Sequence, residues 1–250
     1  MHNVDIILPI YNSEKYIEKT INSIILQSYK NWKLIIIDDG SKDSTVEIIK
    51  KYLNDKRITL KILKRNKGVS FCRNLALRYA KSDYVAFIDS DDIWDAEKIL
   101  KQINFMEKNK YYFTYTNYTP FKSLSEKNYF NEIVPPKLMS FETFVKDTSI
   151  STSTMIIKRN LIKYEKFTNT KICEDYFFKC QILKKVNFAY LLEENLTKYR
   201  IRKNSLQSNK LQNIYWIWYI NKNYNKFNFI KNLFSLLCIS INSIKKYGFK

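Results

Sequence analysis

Apolar positions in the first hundred residues of this 250-residue chain switch repeatedly between two periods. Val4–Ile10 is an unbroken, β-branched apolar run, the pattern of a buried strand. Glu14–Gln27 follows, with Ile17, Ile21, Ile24 and Ile25 spaced to share one face of a helix. The cycle then repeats. Trp32–Ile37 precedes a helix over Thr45–Leu53 that turns Val46, Ile49 and Leu53 inward. Ile58–Leu63 precedes a helix over Gly68–Ala80 that buries Cys72, Leu75, Ala76 and Tyr79. Tyr84–Ile88 precedes a helix over Asp95–Met106 with Ala96, Ile99, Leu100, Ile103 and Met106 inside. Such alternation predicts an α/β fold with a mainly parallel central sheet covered by helices. In such sheets ligands bind outside the carboxyl ends of the strands.

The second half is less regular. Tyr111–Tyr118 and Ser153–Lys158 read as strands, with a loop at Pro135-Pro136 between them. Glu174–Val186 reads as a helix that opens on two acids. Phe188–Leu192 and Leu196–Tyr199 are strand-like. Leu206–Asn221 and Phe227–Lys246 read as terminal helices, the last with Ile230, Leu233, Phe234, Leu237, Ile241 and Ile244 along one stripe.

Composition narrows the chemistry. Only Gly40, Gly68 and Gly248 are glycines, so neither a GxGxxG nor a GxxxxGK phosphate loop exists. The only histidine is His2, which argues against a Ser-His-Asp triad, an HExxH zinc site or a histidine base. Cys72, Cys173, Cys180 and Cys238 show no CxxC spacing and read as reduced thiols in a reducing compartment. Neither a signal peptide nor an apolar run near the ~20 residues of a membrane span is evident. A cytoplasmic location is the expectation. The net charge of +19 is uneven: residues 1–100 hold 17 Lys/Arg against 14 Asp/Glu, the remainder 26 against 10. An anionic partner is therefore expected near the basic end.

Two acidic clusters fall at strand carboxyl ends, Asp38-Asp39 and Asp89/Asp91/Asp92. Three carboxylates so close repel one another unless something compensates. An Asp-x-Asp pair suits Mg²⁺ or Mn²⁺, which take one or two protein carboxylates and leave other positions to phosphates. An EF-hand loop fails, because Ile93 and Trp94 stand where an oxygen ligand and Gly belong. An aspartyl-phosphate enzyme, with Asp89 as nucleophile, also uses such a pair. So does nothing more than a cap on the helix near Asp95. Asp38-Asp39-Gly40-Ser41 is a good turn former, and equally a carboxylate site for a nucleobase or ribose.

The order of the pieces is more specific than any one of them. Leu8-Pro9-Ile10-Tyr11-Asn12, Ile37-Asp38-Asp39-Gly40-Ser41, Asn66-Lys67-Gly68 with Arg73-Asn74, Phe87-Ile88-Asp89-Ser90-Asp91-Asp92 and Glu174-Asp175 occur in sequence. The chain resembles the family 2 glycosyltransferases, inverting bacterial enzymes with a GT-A fold. The match covers roughly residues 1–120 and the Glu-Asp helix.

This resemblance implies a catalytic domain over 1–200, divided into a nucleotide-binding half (1–110) and an acceptor half (111–200). A basic amphipathic helical tail would occupy 201–250. It implies that Pro9, Tyr11 and Asp39 hold the nucleoside, with Gly68 and Arg73 beside the base or diphosphate. Asp89, next to Ser90 in the donor site, would reach the ribose or metal. Asp91 would bind the Mn²⁺ or Mg²⁺ that bridges the diphosphate. Asp175 would be the general base with Glu174 beside it, although acids in a first helical turn are favoured by the dipole anyway. The donor would be a nucleotide sugar, UDP the expected nucleotide. The acceptor would be a saccharide or lipid-linked saccharide of capsule, O-antigen or lipooligosaccharide synthesis. Some relatives complete the metal shell with a later histidine; this chain has none. Arg202 or Lys203, in the segment Tyr199–Ser205, could instead meet the diphosphate.

The tail leaves two readings. After Glu194 there is no acid but eleven Lys/Arg, with the cluster Tyr215-Trp216-Ile217-Trp218-Tyr219 among them. It could pack on the catalytic domain with a solvated basic face, or attach peripherally to anionic lipid at the inner face of the plasma membrane. No nucleic-acid reader motif accompanies the charge. A non-catalytic basic binding protein on the same fold is the remaining alternative.

Overall fold

The computed structural model describes residues 2–123, 129–202 and 209–247. Strands β1 (Val4–Ile10), β2 (Trp32–Asp38), β3 (Ile58–Ile62) and β4 (Tyr84–Phe87) alternate with helices α1 (Ile17–Ile25), α2 (Thr45–Lys50) and α3 (Val69–Tyr79). They form a parallel ladder in the order β3-β2-β1-β4. Strand β1 is buried throughout and β2 nearly so, which explains their unbroken apolar runs. The one charge inside β1, Asp5, is satisfied: its Oδ2 accepts the N–H groups of Lys81 (2.6 Å) and Ser82 (2.7 Å). Pro9 lies beyond Ile7, the last β1 residue paired with β4, where the ladder to β4 no longer asks for an N–H.

Beyond β4 come β5 (Ile93–Trp94), α4 (Lys98–Asn109), β6 (Phe113–Phe121), β7 (Leu138–Met139) and α5 (Phe141–Phe144). They are followed by β8 (Ile156–Lys158), α6 (Glu174–Leu183), β9 (Ala189–Arg200), α7 (Lys210–Asn223) and α8 (Phe229–Tyr247). The sheet continues β4-β8-β6-β9-β5, with β7 also on β9. Here antiparallel pairs interleave with the parallel β6–β9 pair, so the sheet is mixed, its longer ladders parallel.

Alternate residues of the strands serve two cores. Val4, Ile6, Leu8 and Ile10 pack with Ile17, Ile21 and Ile24 of α1 and with Ile99, Ile103 and Met106 of α4. Ile7, Ile35 and Ile37 pack with Cys72 and Ala76 of α3 and Phe178 and Ile182 of α6, and that core runs on to Ile217, Ile220, Phe227 and Leu236. The last two helices thus share the main core. All four cysteines are free; Cys72, Cys173 and Cys180 are buried.

Local expectations need correction at five places. Ala96 is exposed, because α4 begins only at Lys98. Leu53 and Tyr79 are exposed. α2 stops at Lys50, so Leu53 leaves the helical face, while Tyr79 ends α3 with its hydroxyl accepting from Lys61 Nζ (2.6 Å). Thr152–Thr154 is a 3₁₀ turn, and only Ile156–Lys158 is strand. Phe188–Leu192 and Leu196–Tyr199 are parts of the single strand β9. The start of the expected Leu206 helix lies outside the described residues.

Lys98 opens α4 fully buried, its Nζ donating to Gln102 Oε1 (2.9 Å) and lying 4.4 Å from the Trp94 ring centroid. It makes no ion pair among the described residues, and burial pulls its pKa down to about 7 from 10.5. Between those values the unfolded chain binds a proton that the folded chain does not, so stability rises with pH. Lys98→Met is expected to stabilise the fold by roughly 1–4 kcal/mol near neutral pH. The gap to the parent protein should narrow as pH rises to 9. Urea unfolding of both proteins at pH 7 and 9 checks this; a gap that widens contradicts it.

Candidate active site

Three loops at the carboxyl ends of β1, β2 and β3 form one rim. After β1, Tyr11 exposes its ring and Asn12 adopts φ 45°, a left-handed conformation that Asn tolerates. Asn12 then bridges to the β2 loop: its N–H donates to Ser41 Oγ (2.9 Å), and its Oδ1 accepts from Lys42 N (2.9 Å). Asp38 Oδ2 accepts from Gly40 N (3.1 Å) and Ser41 N (3.0 Å), building the turn. Gly40 is required there, with φ 76° and the Arg65 backbone 3.1 Å from where a Cβ would stand. Asp39 reaches the third loop: Oδ1 accepts from Lys67 N (2.7 Å) and Oδ2 from Gly68 N (2.8 Å). Beside Gly68, whose φ is 90°, the space is open.

The acids after β4 meet the acids of α6 through one arginine. Arg73, buried in α3, donates from Nη2 to Asp89 Oδ1 (2.6 Å) and from Nη1 to Glu174 Oε1 (2.5 Å). Its Nε is buried without a partner. A second link is the Thr152-Ser153 turn. Thr152 Oγ1 donates to Asp175 Oδ2 (2.8 Å), while Ser153 Oγ donates to Asp92 Oδ2 (2.5 Å) and accepts from Asp89 N (3.0 Å). Residues more than eighty positions apart thereby share one site.

Each acid has a distinct environment. Asp92 is buried between Ser153 and the Arg200 N–H (2.8 Å), and burial, with Asp91 beside it, raises its pKa well above the carboxylate range. It clasps β9 to the β4 loop. Asp91 accepts at Oδ2 from Arg202 Nε (2.7 Å). Burial pushes its pKa up to about 6 against the pull of Arg202. Ser90 Oγ pairs with Ser13 Oγ (2.8 Å), tying this loop to β1. Asp175 takes a second bond at Oδ2 from Lys179 Nζ (2.8 Å), which also donates to Ile150 O (2.8 Å). Burial would raise Asp175, but Lys179 and Arg73 hold it well below the usual carboxylate range. Glu174, more buried than balanced, is raised.

The structure thus brings Arg73, Asp89, Asp91, Glu174 and Asp175 together, with Asp39, Gly68 and Tyr11 on the adjoining rim. Arg202 lies against Asp91; Lys203 lies outside the described residues. The acids after β4 do not cap α4, whose first N–H groups look instead to Asp95 and Gln27. Thr152, Ser153, Lys179 and Arg200 belong to the site but carry no motif in the sequence. Lys179 alone left a signal, four residues after Asp175 on one helix.

Two chemical capacities follow. Among the described residues Asp175 Oδ1 takes no hydrogen bond while Oδ2 is fixed by Thr152 and Lys179, a disposition suited to a base. Asp89 Oδ2 and Asp91 Oδ1 likewise take no side-chain donor among the described residues, and hard oxygens in that number fit Mg²⁺ or Mn²⁺. No group of three or more His, Cys, Asp or Glu poised as metal ligands occurs among the described residues, so the remaining ligands would come from phosphate and water. Two shallow depressions of about 310 and 320 Å³ lie elsewhere, lined by residues such as His2, Lys33, Lys81 and Lys158, where the parallel strands β1, β2 and β4 begin. None of the site acids lines them.

The model of a family described as glycosyl transferase family 2 matches residues 5–165. An uncharacterized glycosyltransferase of Haemophilus influenzae is 35% identical, aligned over 98% of this chain and 97% of its own length. The UDP-Glc:alpha-D-GlcNAc-diphosphoundecaprenol beta-1,3-glucosyltransferase WfgD of Escherichia coli is 33% identical over 98% of this chain and 95% of its own. Among solved structures, S. aureus TarS in complex with UDP-GlcNAc superposes with a TM-score of 0.75 at 21% identity, covering 97% of this chain and 73% of that one. The likeness to TarS extends through the sheet and its covering helices.

Proposed function

The chain belongs to glycosyl transferase family 2, and we propose that it is an inverting, metal-dependent enzyme that moves a sugar from a UDP-sugar to a lipid-linked saccharide. Family membership makes it a glycosyltransferase and leaves the aspartyl-phosphate and non-catalytic readings without support. One observation carries the finer reading. Arg73 and the Thr152-Ser153 turn gather acids from β4 and α6 at one rim, with one acid group free to meet a diphosphate and another free to meet an alcohol.

In this reading residues 1–110 hold the donor and 111–200 the acceptor, with 201–250 as a basic tail. Tyr11 offers its exposed ring to the base, and Pro9 and Asp39 shape the floor beneath it. Gly68 lets the donor approach backbone where a side chain would stand. Asp89 and Asp91 would hold Mn²⁺ or Mg²⁺, which supplies neutralising charge for the leaving diphosphate. Arg202, on Asp91 here, is placed to turn to the diphosphate. Asp175 Oδ1 accepts the acceptor proton as the new C–O bond forms. A weakly basic carboxylate suffices, because the hydroxyl becomes acidic as its oxygen gives up electron density. Lys179 and Thr152 keep the other oxygen from turning away. Base and diphosphate on opposite sides of the sugar invert the anomeric centre.

The relative WfgD is named for an undecaprenol-diphosphate acceptor. A lipid-carried acceptor of that chemistry supports the reading of an enzyme of bacterial surface-glycan synthesis that works peripherally on the cytoplasmic face of the membrane. The test is release of UDP from a panel of UDP-sugars, with Mn²⁺ and after chelation. Turnover of one donor, abolished by chelation and restored by Mn²⁺, is expected. Turnover that ignores chelation would remove the metal from the reading, and no turnover of any donor would remove UDP.

A further inference from the structure

Helix α8 docks through a face on which polar groups sit beside Leu236 and Ile239. Asn232 and Ser235 are only 1% and 2% exposed. Asn232 Nδ2 donates to Trp218 O (3.0 Å), Ser235 Oγ donates to Val145 O and accepts from Asn221 Nδ2 (3.2 Å), and Asn242 Nδ2 donates to Lys146 O (3.0 Å). Those bonds fix the helix about its axis, since rolling it would strand buried polar groups. The opposite side presents Ile230, Leu233, Phe234, Leu237 and Ile241, at i, i+3, i+4, i+7 and i+11, each between 45% and 78% exposed. A helix on a water-facing surface has the reverse arrangement.

The apolar face does not stop there. On α7, Leu211, Ile214, Tyr215 and Tyr219 are exposed, and Trp218 meets Phe229 of α8 edge-on at 5.4 Å. Cations surround it. Residues 209–247 hold six lysines and no Asp or Glu. Lys222, Lys226 and Lys245 make no ion pair among the described residues, and Lys146 Nζ lies 5.4 Å from the Phe234 ring. No helix among the described residues is long and apolar enough to cross a membrane.

We propose that the joined outer faces of α7 and α8 lie in the headgroup–acyl boundary of an anionic bilayer, with α8 parallel to its plane. This rests on the reading of a lipid-carried acceptor and names the surface that reaches it. Apolar side chains in one stripe, Tyr and Trp beside them and unpaired lysines around them match that boundary in both polarity and charge. A second copy of this chain would instead set two strongly cationic tails against each other.

The experiment is flotation of the full chain with phosphatidylcholine vesicles, with and without phosphatidylglycerol. The parent protein should float with anionic vesicles, less at high salt, and poorly with phosphatidylcholine alone. Joint replacement Leu233→Ser, Phe234→Ser and Leu237→Ser should lower partition at least about tenfold at unchanged melting temperature, since these side chains are exposed. Replacement of Lys222, Lys226 and Lys245 by Gln should lower it by about fivefold per lysine. A parent protein that ignores anionic vesicles, or serine variants that float as well as the parent, would overturn the proposal. So would light scattering that shows a dimer dissolved by the serine variants, because a second copy would then cover the face. Flotation needs no turnover, so UDP release from the same preparations tells failure of this proposal apart from failure of the enzymatic reading.

Discussion

Asp175→Asn is expected to lower kcat for transfer by roughly 10²–10⁴-fold, the range a positioned general base contributes. The amide keeps the shape of the side chain but cannot take the acceptor proton. Donor affinity should hardly change, because in the proposed reading Asp175 would face the alcohol rather than the nucleotide. The substitution also leaves Lys179 buried without its counter-charge, a defect that costs about 3–5 kcal/mol. Lost activity in the single variant therefore mixes chemistry with instability. Adding Lys179→Met separates them. The double variant removes the orphaned ammonium, so its melting temperature should recover while kcat stays low. Recovery of both would mean that Asp175 is a structural partner of Lys179 and that Glu174, the other acid of the pair, deserves the role of base. Glu174→Gln alone is expected to disturb Arg73 and weaken donor turnover, since Glu174 Oε1 accepts from Arg73 Nη1.

How far the sequence could be read depended on whether a residue's role is local. Strands β1, β2 and β4 were legible because both of their faces are buried, and the acids at their ends were legible because ligands collect there. Thr152 and Ser153 were not. Two hydroxyls in a 3₁₀ turn have no period, and their partners Asp175 and Asp92 lie 23 and 61 residues away. Strand β9 looked like two strands because Glu193-Glu194-Asn195 interrupts its apolar alternation. Those residues sit where the β6–β9 register shifts, and the two glutamates pair with Lys137 (2.7 Å) and Lys101 (2.7 Å). The stripe on α8 shows the deepest limit. Spacing tells which residues share a helix face, but only tertiary contacts such as Ser235 to Val145 tell which way that face looks.

Asp91→Asn is expected to lower kcat/KM by roughly 10²–10⁴-fold, since in the proposed mechanism several kcal/mol of charge stabilisation at the diphosphate depend on the group that would hold the metal. Unlike Asp175→Asn, it should make the protein more stable. Burial raises the Asp91 pKa to about 6 from 3.8, so the folded state binds this proton more readily than the unfolded one. Stability then falls as pH rises between those two values, and above pH 6 the whole penalty applies. An amide carries no such penalty, and Arg202, more than a third exposed, can turn to water when its partner is neutral. In the presence of chelator the variant should gain roughly 1–3 kcal/mol near pH 7, and the gain should fade below about pH 4. Arg73 gives the contrast: the same substitution at Asp89 would take from a buried guanidinium one of its two carboxylate partners and destabilise. Urea unfolding at pH 4 and 7, beside UDP release with and without Mn²⁺, measures both halves of the prediction. A variant that is inactive but no more stable would mean Arg202 balances Asp91 fully. A variant that is more stable and still responds to Mn²⁺ would take Asp91 out of the metal site.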